Sequence, residues 1–68
     1  MKNSIKVERA KHNLTQTELA DKVNVSRQTI HSIEVGKFVP STALALKMAC
    51  VFQTTVEAVF SLEERDWV

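Results

Sequence analysis

The clearest periodicity in the chain lies between Leu14 and Gly36. There Leu19, Ala20 and Val23, then Ile30 and Ile33, recur at helical spacing with polar residues filling the gaps. The pattern predicts two short helices, one from Gln16 to about Val23 and one opening after Ser26. Thr15 stands at the first N-cap with Glu18 three residues on, the capping-box spacing that satisfies orphan amide donors from both sides. Leu14 and Leu19 around that cap, and Val25 and Ile30 around Ser26, have the spacing of hydrophobic staples. Only Asn24 and Val25 separate the two helices. Asparagine tolerates a left-handed backbone, so it can close the first helix and turn the chain sharply. Ala20 falls where the second helix must cross the first, and a small side chain is expected there.

The pattern on either side is less regular. Asn3 or Ser4 can cap a first helix ending near His12, with Asn13 in the following turn. Ile5 lacks an apolar partner one turn on, where Glu8 stands, and Val7 and Ala10 lie on a different side. Arg9 shares the face of Ile5; on spacing alone it is a surface arginine. Gly36 is a natural left-handed C-cap, and Phe38-Val39-Pro40 an extended connection. Ser41 caps a helix from about Thr42 to Phe52, in which Leu44, Ala45, Met48, Ala49 and Phe52 recur at core spacing. Thr54 or Thr55 caps a last short helix with Val56, Val59 and Phe60 facing inward, and Glu57 makes Thr54 the better capping-box candidate. The tail, Ser61 to Val68, has no clear period. The expectation is an all-α, five-helix domain spanning residues 1–68, with 61–68 as a tail.

The outward face of the helix after Ser26 carries Arg27, Gln28, His31 and Ser32, with Thr29 beside them. Hydrogen-bonding groups at the exposed start of a short helix suit a recognition helix, which presents its first turns to base edges in a DNA major groove. The net charge of +1 hides an asymmetry. Residues 1–38 carry seven Lys/Arg against four Asp/Glu, and residues 39–68 carry two against four. The basic half contains the recognition element, as attraction to phosphate requires.

The spacing of Gln16, Leu19, Ala20, Val23, Val25, Ser26, Ile30, Ile33, Glu34 and Gly36 resembles the Cro and phage-repressor (Xre-like) helix-turn-helix family. Ten positions agree in identity or class over twenty-one residues, and the similarity continues through Pro40-Ser41 and Leu44 to Phe60. Asn24 stands where that family usually has glycine, which implies a slightly strained turn. The resemblance implies a lambda-repressor-like fold and a sequence-specific transcriptional regulator, a repressor that binds a pseudo-palindromic operator on double-stranded DNA as a homodimer. Arg27, Gln28, His31 and Ser32 would then contact bases. Gln16, Ser26, Thr29 and Lys37 would contact phosphates. In the family an arginine at the place of Arg9 commonly pairs with the glutamate ending the recognition helix, here Glu34, and alignment favours Thr55 as the last cap. Phe60, Leu62, Trp67 and Val68 carry more apolar area than a solvated tail should, and the family often places its two-fold contact there. Met1 to Asn3 could add a short pairing strand to that contact.

Competing chemistry is thin. His12, His31 and Cys50 are scattered, without metal-ligand or nucleophile spacing, and there is no glycine-rich phosphate loop. Neither an enzyme nor a cofactor or metal site is expected. A single cysteine fits a reducing cytoplasm, and no apolar run approaches the roughly 20 residues of a membrane helix. Two alternatives remain: an antitoxin or partner-controlled regulator docking through the Trp67 tail, and a protein-interaction module without DNA affinity.

Overall fold

The computed structural model describes residues 1–68, and its element order follows the hydrophobic pattern. Five helices, α1 (Ile5–Lys11), α2 (Gln16–Val23), α3 (Arg27–Glu34), α4 (Thr42–Val51) and α5 (Val56–Val59), lie between two short strands, β1 (Lys2–Asn3) and β2 (Phe60–Ser61). A 3-10 turn, Glu64–Trp67, ends the chain. The expected all-α, five-helix architecture is present, with a two-stranded antiparallel ribbon added. Lys2 pairs with Ser61 and Asn3 with Phe60.

One core joins the helices. Ile5, Leu19, Val23, Ile30, Ile33, Met48 and Val59 are its fully buried large side chains. Each such burial contributes roughly 1.5–3 kcal/mol, so a handful of residues accounts for most of the stabilisation available to so small a chain. Leu14 and Val25, the outer members of the two staples, pack partly buried against this core. Ser41 caps α4 by accepting from the Leu44 N–H at 3.2 Å. Thr55, not Thr54, caps α5, accepting from Ala58 N–H at 3.2 Å.

Four details differ from the sequence-based expectation. Ser4 occupies the N-cap position of α1 without a capping bond. Asn3 Oδ1 accepts the Ile5 N–H instead, because the Ser4 hydroxyl is turned to the Ala58 carbonyl. Glu8 is buried where an apolar residue was wanted, and Lys11 covers its carboxylate at 3.2 Å. Phe60 lies beyond the end of α5, in extended backbone, and is buried within its own chain's core. Most of its ring is taken up by its own chain, and 7% stays exposed at a surface groove. The N-terminal strand has one edge paired within the chain, to Phe60–Ser61, which the expectation of a pairing strand at a dimer contact did not include.

Candidate nucleic-acid interface

The interface is built from α2, α3 and the turn after α3. Thr15 and Glu18 complete the capping box: the Thr15 hydroxyl accepts from Glu18 N–H at 3.0 Å, and the Glu18 carboxylate accepts from Thr15 N–H at 2.9 Å. That backbone donor holds the Glu18 carboxyl below its ordinary pKa. Asn24 then adopts φ 62° and ψ 47°, a left-handed conformation that reverses the chain within one residue. Val25 N–H reaches back to the Ala20 carbonyl at 3.0 Å, which closes the turn. Ala20 is only 1% exposed and belongs to the core. Ser26 opens α3 by accepting from Thr29 N–H at 3.1 Å.

With Ile30 and Ile33 buried, the opposite side of α3 faces out. Arg27, Gln28 and His31 are exposed, while Ser32 and Thr29 are half-buried. Gly36 follows α3 at φ 83°, a backbone that glycine takes without a Cβ penalty. The chain then doubles back, Lys37 and Phe38 N–H both donating to the Ser32 carbonyl at 2.9 and 3.2 Å. This sets Lys37 beside the outward side of α3, where Ser26, Gln28, Thr29, Ser32, Lys37 and Phe38 line one shallow depression. The Ser26 and Thr29 hydroxyls also hydrogen-bond to each other at 3.0 Å.

On the other flank, Arg9 ties α1 to the end of α3. Its Nε donates to Glu34 Oε2 at 2.7 Å and its Nη2 to Glu34 Oε1 at 3.2 Å, while Nη1 donates to the Leu14 carbonyl at 3.0 Å. Gln16 Nε2 donates to Glu34 Oε1 at 3.3 Å and lies 3.3 Å from His31 Nδ1. The side-chain donors of Gln16 are thereby engaged inside the protein. Lys6 lines the same depression as Gln16 and His31. The sequence pattern did not single it out, because the basic face of α1 becomes relevant only once α1 is packed beside α3. Asn3 also reaches this region, its amide donating to the Ile33 carbonyl at 3.0 Å.

Leu62, Trp67 and Val68 are exposed, Trp67 by 76%. The tail is held by the N-terminal amine, which lies 2.9 Å from Glu63 and 3.1 Å from Asp66. No group of His, Cys, Asp and Glu is arranged to hold a metal ion, and Cys50 is exposed on α4. No helix is long and apolar enough to cross a membrane.

Comparison with known proteins agrees with this geometry. Residues 5–59 match the helix-turn-helix family model. An uncharacterized helix-turn-helix-type transcriptional regulator of Methanocaldococcus jannaschii is 53% identical over 64 residues, covering 94% of this chain and 97% of that protein. The uncharacterized regulator YgzD of Bacillus subtilis is 46% identical over 66 residues, covering 97% of this chain and all of its own. Among solved structures, the clp gene regulator ClgR of Corynebacterium glutamicum superposes with a TM-score of 0.72 at 25% identity, covering 76% of this chain. This chain spans 55% of the ClgR chain. The helices, the tight turn at Asn24 and these matches place the chain in the Cro and phage-repressor (Xre-like) helix-turn-helix family of transcriptional regulators.

Proposed function

We propose that this protein is a cytoplasmic, homodimeric repressor that reads a pseudo-palindromic operator through α3. One observation carries the reading. The side chains of Arg27, Gln28, Ser32 and Lys37 make no hydrogen bond within the chain, yet they share the outward side of a helix whose inner side is locked in the core. Arg27 suits guanine and Gln28 suits adenine as bidentate partners, at roughly 1–3 kcal/mol of discrimination each. Ser32 and His31 extend the row along the groove. Lys37 and Lys6 flank it as phosphate contacts, and the Ser26 and Thr29 hydroxyls can accompany them. Gln16 contributes to phosphate binding through its backbone N–H at the positive end of α2. No catalytic step is assigned to any of these groups.

One recognition helix covers a short half-site, so useful specificity calls for two copies with half-sites about 34 Å apart. Leu62, Trp67 and Val68 supply the apolar surface for that contact, and occupation of the operator excludes other proteins from it. The exposure of Trp67 also suits a regulator controlled by a protein partner bound at the tail. Selection of bound duplexes from a random pool tests the whole reading. A recovered inverted repeat with one-turn spacing supports it, and recovery of no sequence above background refutes it. Truncation after Ser61 separates the two uses of the tail: loss of dimer by sedimentation marks a self-contact, and an unchanged oligomeric state leaves the tail to a partner.

A further inference from the structure

Arg9, Glu34, Gln16 and His31 form an unbroken chain of polar contacts running from the core side of α1 to the outward face of α3. Its first link decides the others. A guanidinium has only donors, so both Glu34 oxygens act as acceptors toward Arg9. Glu34 Oε1 also accepts from Gln16 at 3.3 Å, which settles which way round the Gln16 amide sits: its NH2, not its carbonyl, faces the carboxylate. The same nitrogen lies 3.3 Å from His31 Nδ1, within reach of its second proton. A donor aimed at Nδ1 needs a lone pair there, so the ring proton sits on Nε2. His31 is exposed and shares its outward arc with Arg27 and Gln28.

We propose that Gln16 is a positioning residue for sequence readout: it holds His31 in the Nε2–H tautomer, so that His31 presents a fixed donor to an acceptor on a base edge. This rests on the DNA-binding reading above and names one residue's part in it. Major-groove acceptors are N7 and O6 of guanine, N7 of adenine and O4 of thymine, whereas cytosine presents an amino donor. A histidine free to exchange tautomers can offer cytosine an acceptor; a locked one does not. The same commitment explains why the Gln16 side chain has no N–H left for a phosphate.

Nitrogen-15 NMR of the free protein, in buffer alkaline enough to keep the imidazole neutral, tests the lock. The parent should show an unprotonated Nδ1 and a protonated Nε2. Gln16→Leu should move both resonances toward averaged values. Identical ring-nitrogen shifts in the parent and the folded variant overturn the proposal. A second measurement reads the consequence, on duplexes selected with the parent and then substituted base by base. Gln16→Leu should lose about fivefold discrimination, the worth of one hydrogen bond, at one position only. That position should be the one lost by His31→Ala, and the double variant should lose no more. Uniform weakening on every duplex with base preferences intact overturns the positioning role. A parent that binds no duplex overturns the functional reading beneath it, whatever the nitrogen shifts show.

Discussion

The recognition half and the tail are each closed by an ion pair of ordinary length, yet the two pairs differ in what they can do. Arg9 and Glu34 have side chains 15% and 9% exposed, and each makes further bonds, to the Leu14 carbonyl and to Gln16. The N-terminal amine meets Glu63 and Asp66 at similar distances, but those carboxylate side chains are 29% and 21% exposed, on a tail whose Trp67 lies largely in water. Water can replace either partner of the second pair at little cost, whereas a buried charge that loses its partner has no substitute. Distance alone does not tell these cases apart; burial and the remaining hydrogen bonds do. The consequence is an α3 fixed against α1 and α2, and a tail free to exchange contacts.

The comparison predicts its own largest effect. Arg9→Ala strands Glu34 and should lower stability by about 3 kcal/mol in urea unfolding, while the apolar double replacement Arg9→Met with Glu34→Leu costs less than either single change. Glu63→Gln should leave the urea midpoint where it was. Equal shifts for the two ion pairs would break the contrast.

Next in size are changes on the exposed side of α3. Arg27→Ala or Gln28→Ala should lose about 1–3 kcal/mol of base discrimination with unchanged melting, since neither residue packs. Lys37→Ala should weaken every duplex by a similar factor and flatten the log-affinity against log-salt slope by about one. Binding titrations across a salt series distinguish the two behaviours.

The two tight turns sharpen the picture at about 1 kcal/mol. Gly36→Ala meets no atom within 4 Å, so its cost comes from φ 83° alone, about 1 kcal/mol. Asn24→Gly, at φ 62°, should be neutral or stabilising by a few tenths, since relief of the left-handed backbone offsets the added chain entropy. Thermal melting of both variants checks the pair.

The smallest effect is the pH response of the tail. Hydrogen bonding to Glu63 raises the pKa of the N-terminal amine above 8.0, so its contribution is complete below that value and fades as pH rises through the folded one. The amine lowers Glu63 below 4.5, and the Glu63 backbone N–H followed by the amine lowers Asp66 below 3.8. Their contribution is complete above those values and fades as pH falls through the folded ones. Tail docking is thus strongest between 4.5 and 8.0. Trp67 emission should change on both sides of that window before the helices unfold.

Local chemistry made the recognition half legible. The Thr15–Glu18 box, the Ser26 and Ser41 caps, the Asn24 turn and the core of α4 each depend on residues a few positions apart, and all stand where the spacing places them. The features that escaped depend on distant partners. Strands of two residues carry no period, so only the family resemblance pointed to a strand at Met1 to Asn3, and its pairing with Phe60–Ser61 of the same chain was not foreseen. Glu8 broke the apolar pattern because Lys11 shields it. Gln16 could be set at a helix start, but its engagement with Glu34 and His31 needs the crossing of α2 and α3. The 3-10 turn likewise depends on a reciprocal box between Glu63 and Asp66 and on the amine of Met1.

The β1–β2 ribbon joins Lys2 and Asn3 to Ser61 and Phe60, far apart along the chain, and Asn3 within it also holds the carbonyl end of α3. Closing so long a loop costs chain entropy that the helix contacts must offset first. The ribbon, and with it the brace from Asn3 to the Ile33 carbonyl, therefore forms after the helices have packed, as a second hold on an α3 that Arg9 already ties to α1.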